Sequence, residues 1–229
     1  MASSRPAYRD SAGKTFEDYP RPSVAVDTAV LTVADDRLCV LLTLTNNAAR
    51  GKSAEQWRLP GTFLHPGEVL ADAVRRSLQE KAGVEGITPR QLHVFDNPKR
   101  DNRGWVLSVA HLAALRADRI PLTERTRLLP VDEVTGLQYD HEAIVDYATD
   151  ELRGEYRRLP DPGRLIADAW DGEPAGAFTI LELRRLHESV LRETFNSDTF
   201  RRSMLPSLVP TGQWRKGAPG KPAELYQRA

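Results

Sequence analysis

Residues 59–84 read LPGTFLHPGEVLADAVRRSLQEKAGV and are the most informative stretch of this 229-residue chain. Apolar residues recur at every fourth position, which predicts an amphipathic helix over residues 69–82. These apolar positions are Leu70, Val74, Leu78 and Ala82. Gly83 follows where a left-handed glycine commonly ends a helix, and Pro60-Gly61 breaks the short strand WRLPGTFL before it. The stretch therefore predicts strand, turn and helix in that order.

The polar residues of this stretch have a spacing that resembles the Nudix box, G-x5-E-x7-R-E-U-x-E-E-x-G-U, in which U is apolar. The matching positions are Glu68, Arg76, Leu78, Glu80, Gly83 and Val84. Ser77 and Lys81 replace two helical glutamates, and Thr62 stands at the first glycine, with Gly61 just before it. An ordinary amphipathic helix after a Pro-Gly turn is the alternative interpretation.

Positions 77, 80 and 81 share one face of a helix, because they are three and four residues apart. Three glutamates there would bind Mg²⁺ beside a diphosphate, and the metal would activate a water molecule. The triplet Ser77, Glu80 and Lys81 has a formal charge of about zero instead. Lys81 repels a divalent cation, so we predict no metal and no catalytic residue, with hydrolysis slow or absent. Diphosphate binding is expected to survive, with no cofactor required.

Apolar strands surround this helix and predict an α+β fold. Residues 24–33 and 38–45 form a hairpin that turns at Asp35-Asp36. Residues 91–95 and 105–115 are strands on either side of a charged loop, NPKRDNRG, and residues 141–158 form a charged helix. We expect a Nudix α/β/α sandwich domain followed by a C-terminal winged helix-turn-helix.

The charged loop is the second candidate for ligand binding. Arginine guanidinium groups suit diphosphate oxygens, and Asp101 is placed to orient one of them. The predicted ligand-binding residues are Arg58, Glu68, Glu80, Lys81, Arg100, Asp101 and Arg103. Lys99 adds a further positive charge to the loop. The alternative is a solvated hairpin turn without a ligand.

The last section of the chain has the layout of a winged helix-turn-helix. Thr179 and Glu182 form a capping box, and an apolar helix face follows at Leu183, Leu186 and Val190. A second helix begins near Asn196 and ends by Pro206. Strands SLV and AELYQ then flank a basic Gly/Pro-rich loop. Helix, helix and hairpin in this order predict a DNA-binding module.

The second helix is the candidate recognition helix, with Phe200 and Met204 expected to face the core. The predicted DNA-binding residues are Asn196, Thr199, Arg201, Arg202, Ser203, Arg215, Lys216 and Lys221. Residues 177–229 hold nine Lys and Arg against five Asp and Glu, whereas the chain as a whole is neutral. Such an excess favours contact with DNA phosphates. A small helical cap with solvated arginines is the alternative.

Changes of composition and the positions of proline and glycine divide the chain into four sections. We expect an N-terminal arm at 1–22, the Nudix-like sensor domain at 23–158, a Pro/Gly-rich linker at 159–177 and the winged helix at 178–229. A short helix is expected near 164–170. No window is apolar enough for a membrane span, the N-terminus lacks a secretory apolar core, and Cys39 is the only cysteine. These features predict a cytoplasmic protein with no disulfide and no membrane partner.

The chain from Tyr19 onward resembles Nudix-related transcriptional regulators of NAD metabolism, the NrtR family. The motifs that carry the resemblance are YPRPSVAVD, WRLPGTFLHPGE, RDNRGWVLSVAHLAAL, LQYDHEAIVDYATDELR, FTILELRRLHESVL, TFRRSML and GKPAELYQ. The resemblance implies a weakly hydrolysing or inactive Nudix domain that senses ADP-ribose. It also implies a dimer whose winged helices bind a palindromic operator of NAD biosynthesis genes. The sequence TFRRS at 199–203 departs from the usual N-F-R-R-K, and Thr62 stands where the family has a glycine.

The resulting hypothesis is a homodimeric repressor of NAD biosynthesis or salvage genes whose double-stranded operator is released when ADP-ribose binds. The linker would let the two winged helices change their spacing. One rival is an active ADP-ribose or nucleotide pyrophosphatase, in which Glu68 and Glu80 supply the metal site. The other is a regulator of the same architecture that senses another metabolite, such as a sugar or a different nucleotide.

Overall fold

The computed structural model describes residues 8–46, 55–167, 172–216 and 222–229. Its strands are β1 (Ser23–Ala34), β2 (Arg37–Asn46), β3 (Glu55–Arg58), β4 (Gly61–Phe63), β5 (Arg90–Phe95), β6 (Val106–Ala114), β7 (Thr126–Pro130), β8 (Leu208–Arg215) and β9 (Ala223–Arg228). Its α-helices are α1 (Leu70–Ala82), α2 (His141–Tyr156), α3 (Ile180–Leu191) and α4 (Ser197–Met204).

Strands β1 to β7 form one mixed sheet with the order β3-β2-β1-β6-β5, in which β4 also pairs with β1 and β7 with β2. The predicted hairpin is confirmed. Asp35 and Asp36 have φ values of 49° and 57°, and two left-handed residues are what a tight turn between twisted strands requires. Strand β7 was not predicted, because its short apolar run lies between charged residues. Because β1 and β6 are parallel, the N-terminal ends of the two strands lie next to each other at the same end of the sheet.

One helix packs on each face of this sheet, which confirms the predicted sandwich. Helix α1 buries Ala73, Val74 and Leu78 against β1 and β2. Helix α2 buries Ile144, Ala148 and other residues on the opposite face. Alternate residues of β1 point to the two faces, so one central strand serves both cores. Gly83 has a φ of 62° and ends α1 as expected.

Helices α3 and α4 and the β8–β9 hairpin form the predicted winged helix. The side chain of Thr179 accepts from the Glu182 amide, and that of Asn196 accepts from the Asp198 and Thr199 amides, so both helix starts are capped. Phe200 and Met204 are buried, as their spacing indicated. Phe178 pairs with Tyr226 and extends the hairpin by one bridge.

The segment between the two domains differs from the loose linker that its prolines suggested. Asp161 is fully buried and accepts hydrogen bonds from the Tyr156 hydroxyl at 2.7 Å and from the Leu165 amide at 2.7 Å. Arg228, from the last strand, also binds this carboxylate. These bonds hold the first part of the segment against both domains, and the linker at 159–177 stays a prediction. Residues 164–167 form no helix, and 168–171 lie outside the described residues.

The two domains also share a core. Leu186, Val190 and Leu191 of α3 belong to the same buried cluster as Ile144 and Leu152 of α2. Within the described ranges, no helix has the length and hydropathy that a membrane crossing requires. The N-terminal arm, described from residue 8, contains one short 3-10 turn at Phe16–Asp18.

Candidate functional site

A cavity of about 230 Å³ opens between β4, the C-terminal end of α1, the 97–104 loop and the start of α2. It brings together five of the seven predicted ligand-binding residues, namely Arg58, Lys81, Arg100, Asp101 and Arg103. Glu68 and Glu80 are not among the residues that line it. The cavity therefore lies between the degenerate helix and the charged loop, where we expected the ligand.

The floor of this cavity is a buried carboxylate. Asp27 is 7% exposed, and the Ser108 hydroxyl donates to it at 2.6 Å. The Nδ1 atom of His141 accepts from the Leu59 amide at 3.1 Å. The proton of that ring is therefore assigned to Nε2, which lies 3.3 Å from Asp27 Oδ1 and donates to it.

The hydrogen-bond donors and the positive charge around Asp27 favour its ionised form. Burial alone would raise the pKa of Asp27, but His141, Ser108 and Arg100 outweigh burial and lower that pKa to about 2. Arg100 itself is only 4% exposed and donates to Asp140 at 2.8 Å. The Arg100 guanidinium is thus committed to two carboxylates. The sequence suggested that the Arg100 guanidinium would be unpaired and would bind a diphosphate, whereas in the structure it is already paired.

Arg103 is the arginine at the cavity mouth that remains half exposed. Asp101 orients it through two hydrogen bonds, at 2.9 and 2.7 Å, as predicted. The guanidinium carbon lies 5.4 Å from the centre of the Phe63 ring and 5.3 Å from that of the Tyr139 ring. Tyr139 has a φ of 60°, which is rare for a bulky residue and is typical of a functional segment. Two rings and a cation thus border the opening.

Lys81 approaches the cavity from α1. Its ammonium group donates to the Gly61 carbonyl, while partial burial lowers the pKa of Lys81 and the Asp27 carboxylate opposes that shift. Gly61 pairs with Asp27 across β4 and β1. A Cβ at Gly61 would lie 1.9 Å from Asp27 Oδ1 and 2.8 Å from the Val26 carbonyl oxygen. Only glycine therefore lets β4 come this close to the cavity floor.

The residues of the degenerate helix do not fit a divalent metal. Ser77 is fully buried, and its hydroxyl has no hydrogen-bond partner among the described residues. Glu68 accepts two bonds from Arg76, at 2.8 and 2.9 Å, and this pairing lowers the pKa of Glu68 to about 2. Glu80 is exposed outside the cavity. In the described part of the chain, no three His, Cys, Asp or Glu residues form a group suited to a metal. Neither Glu68 nor Glu80 lines the cavity, and their assignment as ligand-binding residues stays a prediction.

The candidate DNA-binding face is the exposed side of α4. Thr199, Arg202 and Ser203 are exposed on this helix, and Lys216 is exposed at the end of β8. Arg201 is 48% exposed and donates to the Tyr226 hydroxyl at 3.1 Å. Asn196 caps the helix through its side chain, so its amide oxygen is already used. Lys221 lies outside the described residues.

Arg215 is the exception among the predicted DNA-binding residues. It lies in β8 rather than in the wing loop, and its side chain is only 12% exposed. Its guanidinium donates to Glu173 at 2.6 and 2.7 Å and also to Glu182. These bonds, the Glu173 bonds first, raise the pKa of Arg215 further above its usual value. Arg215 therefore anchors the wing to Glu173 and to the capping box of α3, and we expect this role rather than a DNA contact.

Replacing Arg215 by alanine is expected to lower stability by about 1–3 kcal/mol, because two charge-assisted partners are lost from a mostly buried position. Thermal unfolding should show a fall of several degrees. Lys216→Ala is the matched control, since it removes an exposed charge from the adjacent position. A melting temperature that is unchanged in Arg215→Ala, together with weaker DNA binding, would restore Arg215 as a DNA contact.

Several residues that line the cavity or bond to its lining were not predicted from the sequence. They are Asp27, Ser108, Tyr139, Asp140 and His141. A usable signal existed for Asp27, which is the only charged residue in an otherwise apolar strand. The YDH tripeptide at 139–141 contributed only to the family resemblance, with no role attached.

Comparison with known family models gives two matches. Residues 22–151 match the NUDIX domain, and residues 175–227 match the NrtR DNA-binding winged helix domain. The first match includes the cavity, and the second includes α3, α4 and the β8–β9 hairpin. The two matched regions agree with the two domains of the structure.

Several known proteins are similar to most of this chain. The "ADPR responsive transcriptional repressor NtrR" of Acinetobacter baylyi is 28% identical over 221 residues, which cover 93% of this chain and 84% of that protein. The crystal structure of Shewanella oneidensis NrtR complexed with a 27mer DNA superimposes with a TM-score of 0.73 at 27% identity, covering 90% of this chain and 93% of that one. The NUDIX domain of the same protein, complexed with ADP ribose, gives a TM-score of 0.53 at 27% identity and covers 62% and 95%.

Proposed function

The chain belongs to the NUDIX family, and from this premise we propose that it is a transcriptional repressor that releases its operator when ADP-ribose binds. The repressed genes are proposed to be those of NAD biosynthesis or salvage. The relative from Acinetobacter baylyi, whose name describes such a repressor, supports the proposal over nearly the full chain.

One observation carries the sensor part of the proposal. Arg58, Lys81 and Arg103 line a cavity in which the residues of the degenerate helix offer no metal site. Fixed cations attract a diphosphate, and the Phe63 and Tyr139 rings at the opening suit a stacked base or sugar face. An ADP-ribose molecule combines these groups. The ADP-ribose complex of the Shewanella oneidensis NUDIX domain agrees with this ligand.

The degenerate helix is proposed to make this chain a sensor rather than an enzyme. Hydrolysis of a diphosphate by this fold depends on a metal that activates water, and Ser77 and Lys81 replace two of the ligands. Incubation with Mg²⁺ and ADP-ribose, followed by measurement of AMP, tests the rival pyrophosphatase. Turnover at ordinary enzymatic rates that is lost in Glu80→Gln would favour the rival.

The operator is proposed to be a palindrome that binds a homodimer. A 27mer of B-form DNA is about 90 Å long, at 3.4 Å per base pair, whereas one recognition helix reads a half-site within about one turn. The DNA used with the Shewanella oneidensis protein is therefore long enough for two copies. A protein that acts on operators works beside the chromosome, so we propose a cytoplasmic location.

Gel-shift titration of operator DNA with increasing ADP-ribose tests the function as a whole. We expect the protein–DNA complex to dissociate as the cavity fills, because the ligand and the operator favour different geometries. Operator binding that is unchanged at saturating ADP-ribose would reject the sensor. A thermal-shift screen with sugars and other nucleotides tests the remaining rival, since a ligand of the folded state raises its stability.

Reversing the charge at Lys81 should make ADP-ribose binding depend on metal. The wild type is expected to bind equally well in EDTA and in Mg²⁺, because the Lys81 ammonium is a built-in cation at the cavity wall. Lys81→Glu should bind ADP-ribose at least 10-fold more weakly in EDTA, because an attraction between the ammonium and the diphosphate becomes a repulsion. Two charges at contact distance interact by several kcal/mol at a protein surface. Mg²⁺ should restore part of the loss. Calorimetric titration gives both affinities.

Arg75→Glu is the control for this experiment, because Arg75 lies on the same helix but outside the cavity. It carries the same change of charge and should leave the affinity for ADP-ribose nearly unchanged. A wild-type protein that binds ADP-ribose only with Mg²⁺ would contradict the role proposed for Lys81.

A further inference from the structure

Helix α2 has one end in the cavity and the other end in the winged helix. Its first residue, His141, binds the cavity floor, and Asp140 just before it holds Arg100. Its last residue, Tyr156, is fully buried. Sixteen residues at 1.5 Å per residue give a rod of about 24 Å, packed along one face of the sheet. Because such a helix is stiff along its axis, a shift of its first residue also moves its last residue.

At its far end, α2 reaches the recognition helix through one side chain. The His187 ring of α3 lies 5.1 Å from the Tyr156 ring and 5.1 Å from the Phe200 ring of α4, with edge-to-face angles of 67° and 75°. All three side chains are buried. Phe200 lies between Thr199 and Arg201 on the proposed DNA-reading helix. We call these three rings the ring stack.

His187 is an unusual choice for such a position. In the described part of the chain no hydrogen bond of good geometry reaches its ring nitrogens, and the nearest backbone polar group is that of Tyr156. Burial lowers the pKa of His187 to about 4, although the Asp161 carboxylate and the Tyr156 backbone oppose this shift. A buried polar group without a partner costs free energy, so an apolar residue of similar size would pack there at lower cost. The histidine therefore calls for an explanation other than stability.

A second contact fixes Tyr156 to the winged helix. Its hydroxyl donates to Asp161 at 2.7 Å, and Arg228 of β9 donates to the same carboxylate and, at 3.1 Å, to the Asp161 carbonyl. Tyr156 is thus held by its ring face and by its hydroxyl. Movement of α2 along its axis must carry the ring stack with it or break these bonds.

We propose that α2 and the ring stack couple the cavity to the recognition helix, with His187 as the positioning residue that transmits the shift. The inference rests on the proposed function, because it explains how that function is regulated. A ligand that contacts the 139–141 segment favours one position of α2, and the ring stack converts that position into a position of α4. The ligand changes operator affinity only by its differential binding to the two positions.

The test measures a coupling factor, the ratio of operator Kd with saturating ADP-ribose to operator Kd without it, using the full chain. In His187→Ala we expect each separate Kd, for ADP-ribose and for ligand-free operator binding, to stay within about 3-fold of wild type. The coupling factor should fall at least 5-fold, which is the lower range of allosteric effects. His187→Phe keeps a ring at this position and should restore most of the coupling.

Leu115→Ala is the matched control, because Leu115 is buried in the core beneath α1, and that core contains none of the three rings of the ring stack. It should lower the melting temperature and leave the coupling factor intact. Should His187→Ala fail to fold, His187→Leu replaces it, since leucine fills the space without a ring. If the wild-type protein binds both ADP-ribose and the operator, but ADP-ribose does not release it from the operator, the proposed function is rejected. If ADP-ribose releases the wild-type protein and the folded His187 variant has the same coupling factor, the coupling role of His187 is overturned.

Discussion

Replacing Asp27 by alanine is expected to destabilise the NUDIX domain by about 3–5 kcal/mol and to abolish ADP-ribose binding. The Asp27 carboxylate accepts from Ser108 and His141 and pairs with Arg100 in a position that is only 7% exposed. Its removal leaves buried donors without their acceptor and takes one of two counter-charges from Arg100. The cavity floor should then collapse. Chemical denaturation and calorimetric titration measure the two effects.

Asp132 provides the control for this prediction. Asp132 also pairs with two arginines, Arg37 and Arg192, but its side chain is 29% exposed. Asp132→Ala should therefore cost less than about 1 kcal/mol, as solvated ion pairs do. Equal losses in the two variants would show that burial of Asp27 contributes nothing.

The pH dependence of stability gives a second measure of Asp27. Its pKa is about 2 in the folded protein against an ordinary 3.8, so the folded state binds fewer protons. The stabilisation is therefore fully present above pH 4 and is lost as the pH falls toward 2. It amounts to roughly 2 kcal/mol. The difference in the free energy of unfolding between wild type and Asp27→Ala should narrow over this range. His187 also destabilises the folded state at low pH, because its pKa is lowered to about 4, but this effect is the same in both proteins.

The elements that the sequence predicted are those with a local cause. A tight turn at Asp35-Asp36, the four-residue apolar spacing of α1 and the capping of α3 and α4 each depend on a few neighbouring residues. The degenerate helix could be judged in the same way, because positions 77, 80 and 81 lie on one turn. Local patterns therefore gave the domain order and the general place of the ligand.

The residues that were missed or misassigned depend on partners that are distant in the chain. Arg100, Arg103 and Arg215 are alike in sequence, yet only Arg103 stays half exposed, because Asp140 and Glu173 fold against the other two. The Pro/Gly-rich composition of 159–177 suggested a linker, but it did not reveal that the Asp161 carboxylate in its first part bonds to Tyr156 and Arg228. Sequence reasoning assigns such residues a chemistry but not a partner.

The largest effect on DNA binding is expected for the double variant Arg201→Ala, Arg202→Ala. Both arginines lie on α4, and each guanidinium that contacts a base edge or a phosphate contributes about 1–3 kcal/mol. We therefore expect operator affinity to fall at least about 30-fold. The slope of log Kd against log salt should also become shallower by one to two units if both arginines contact phosphates, because fewer counterions are released.

Two features separate this loss from a general change of charge or of fold. The control Arg75→Ala, Arg119→Ala removes two exposed arginines from the NUDIX domain and should change operator affinity by no more than a few fold. ADP-ribose binding should be unchanged in the α4 variant, since α4 does not line the cavity. Arg201 also donates to the Tyr226 hydroxyl through Nη2, whereas Arg202 donates only through Nε, to the Asp198 carbonyl at 3.2 Å. Both terminal nitrogens of Arg202 therefore stay available on the exposed face, and Arg202→Ala should account for the larger part of the effect. Operator binding that survives in the double variant would mean that α4 is not the DNA-reading helix, and the winged helix would then have to bind through its wing.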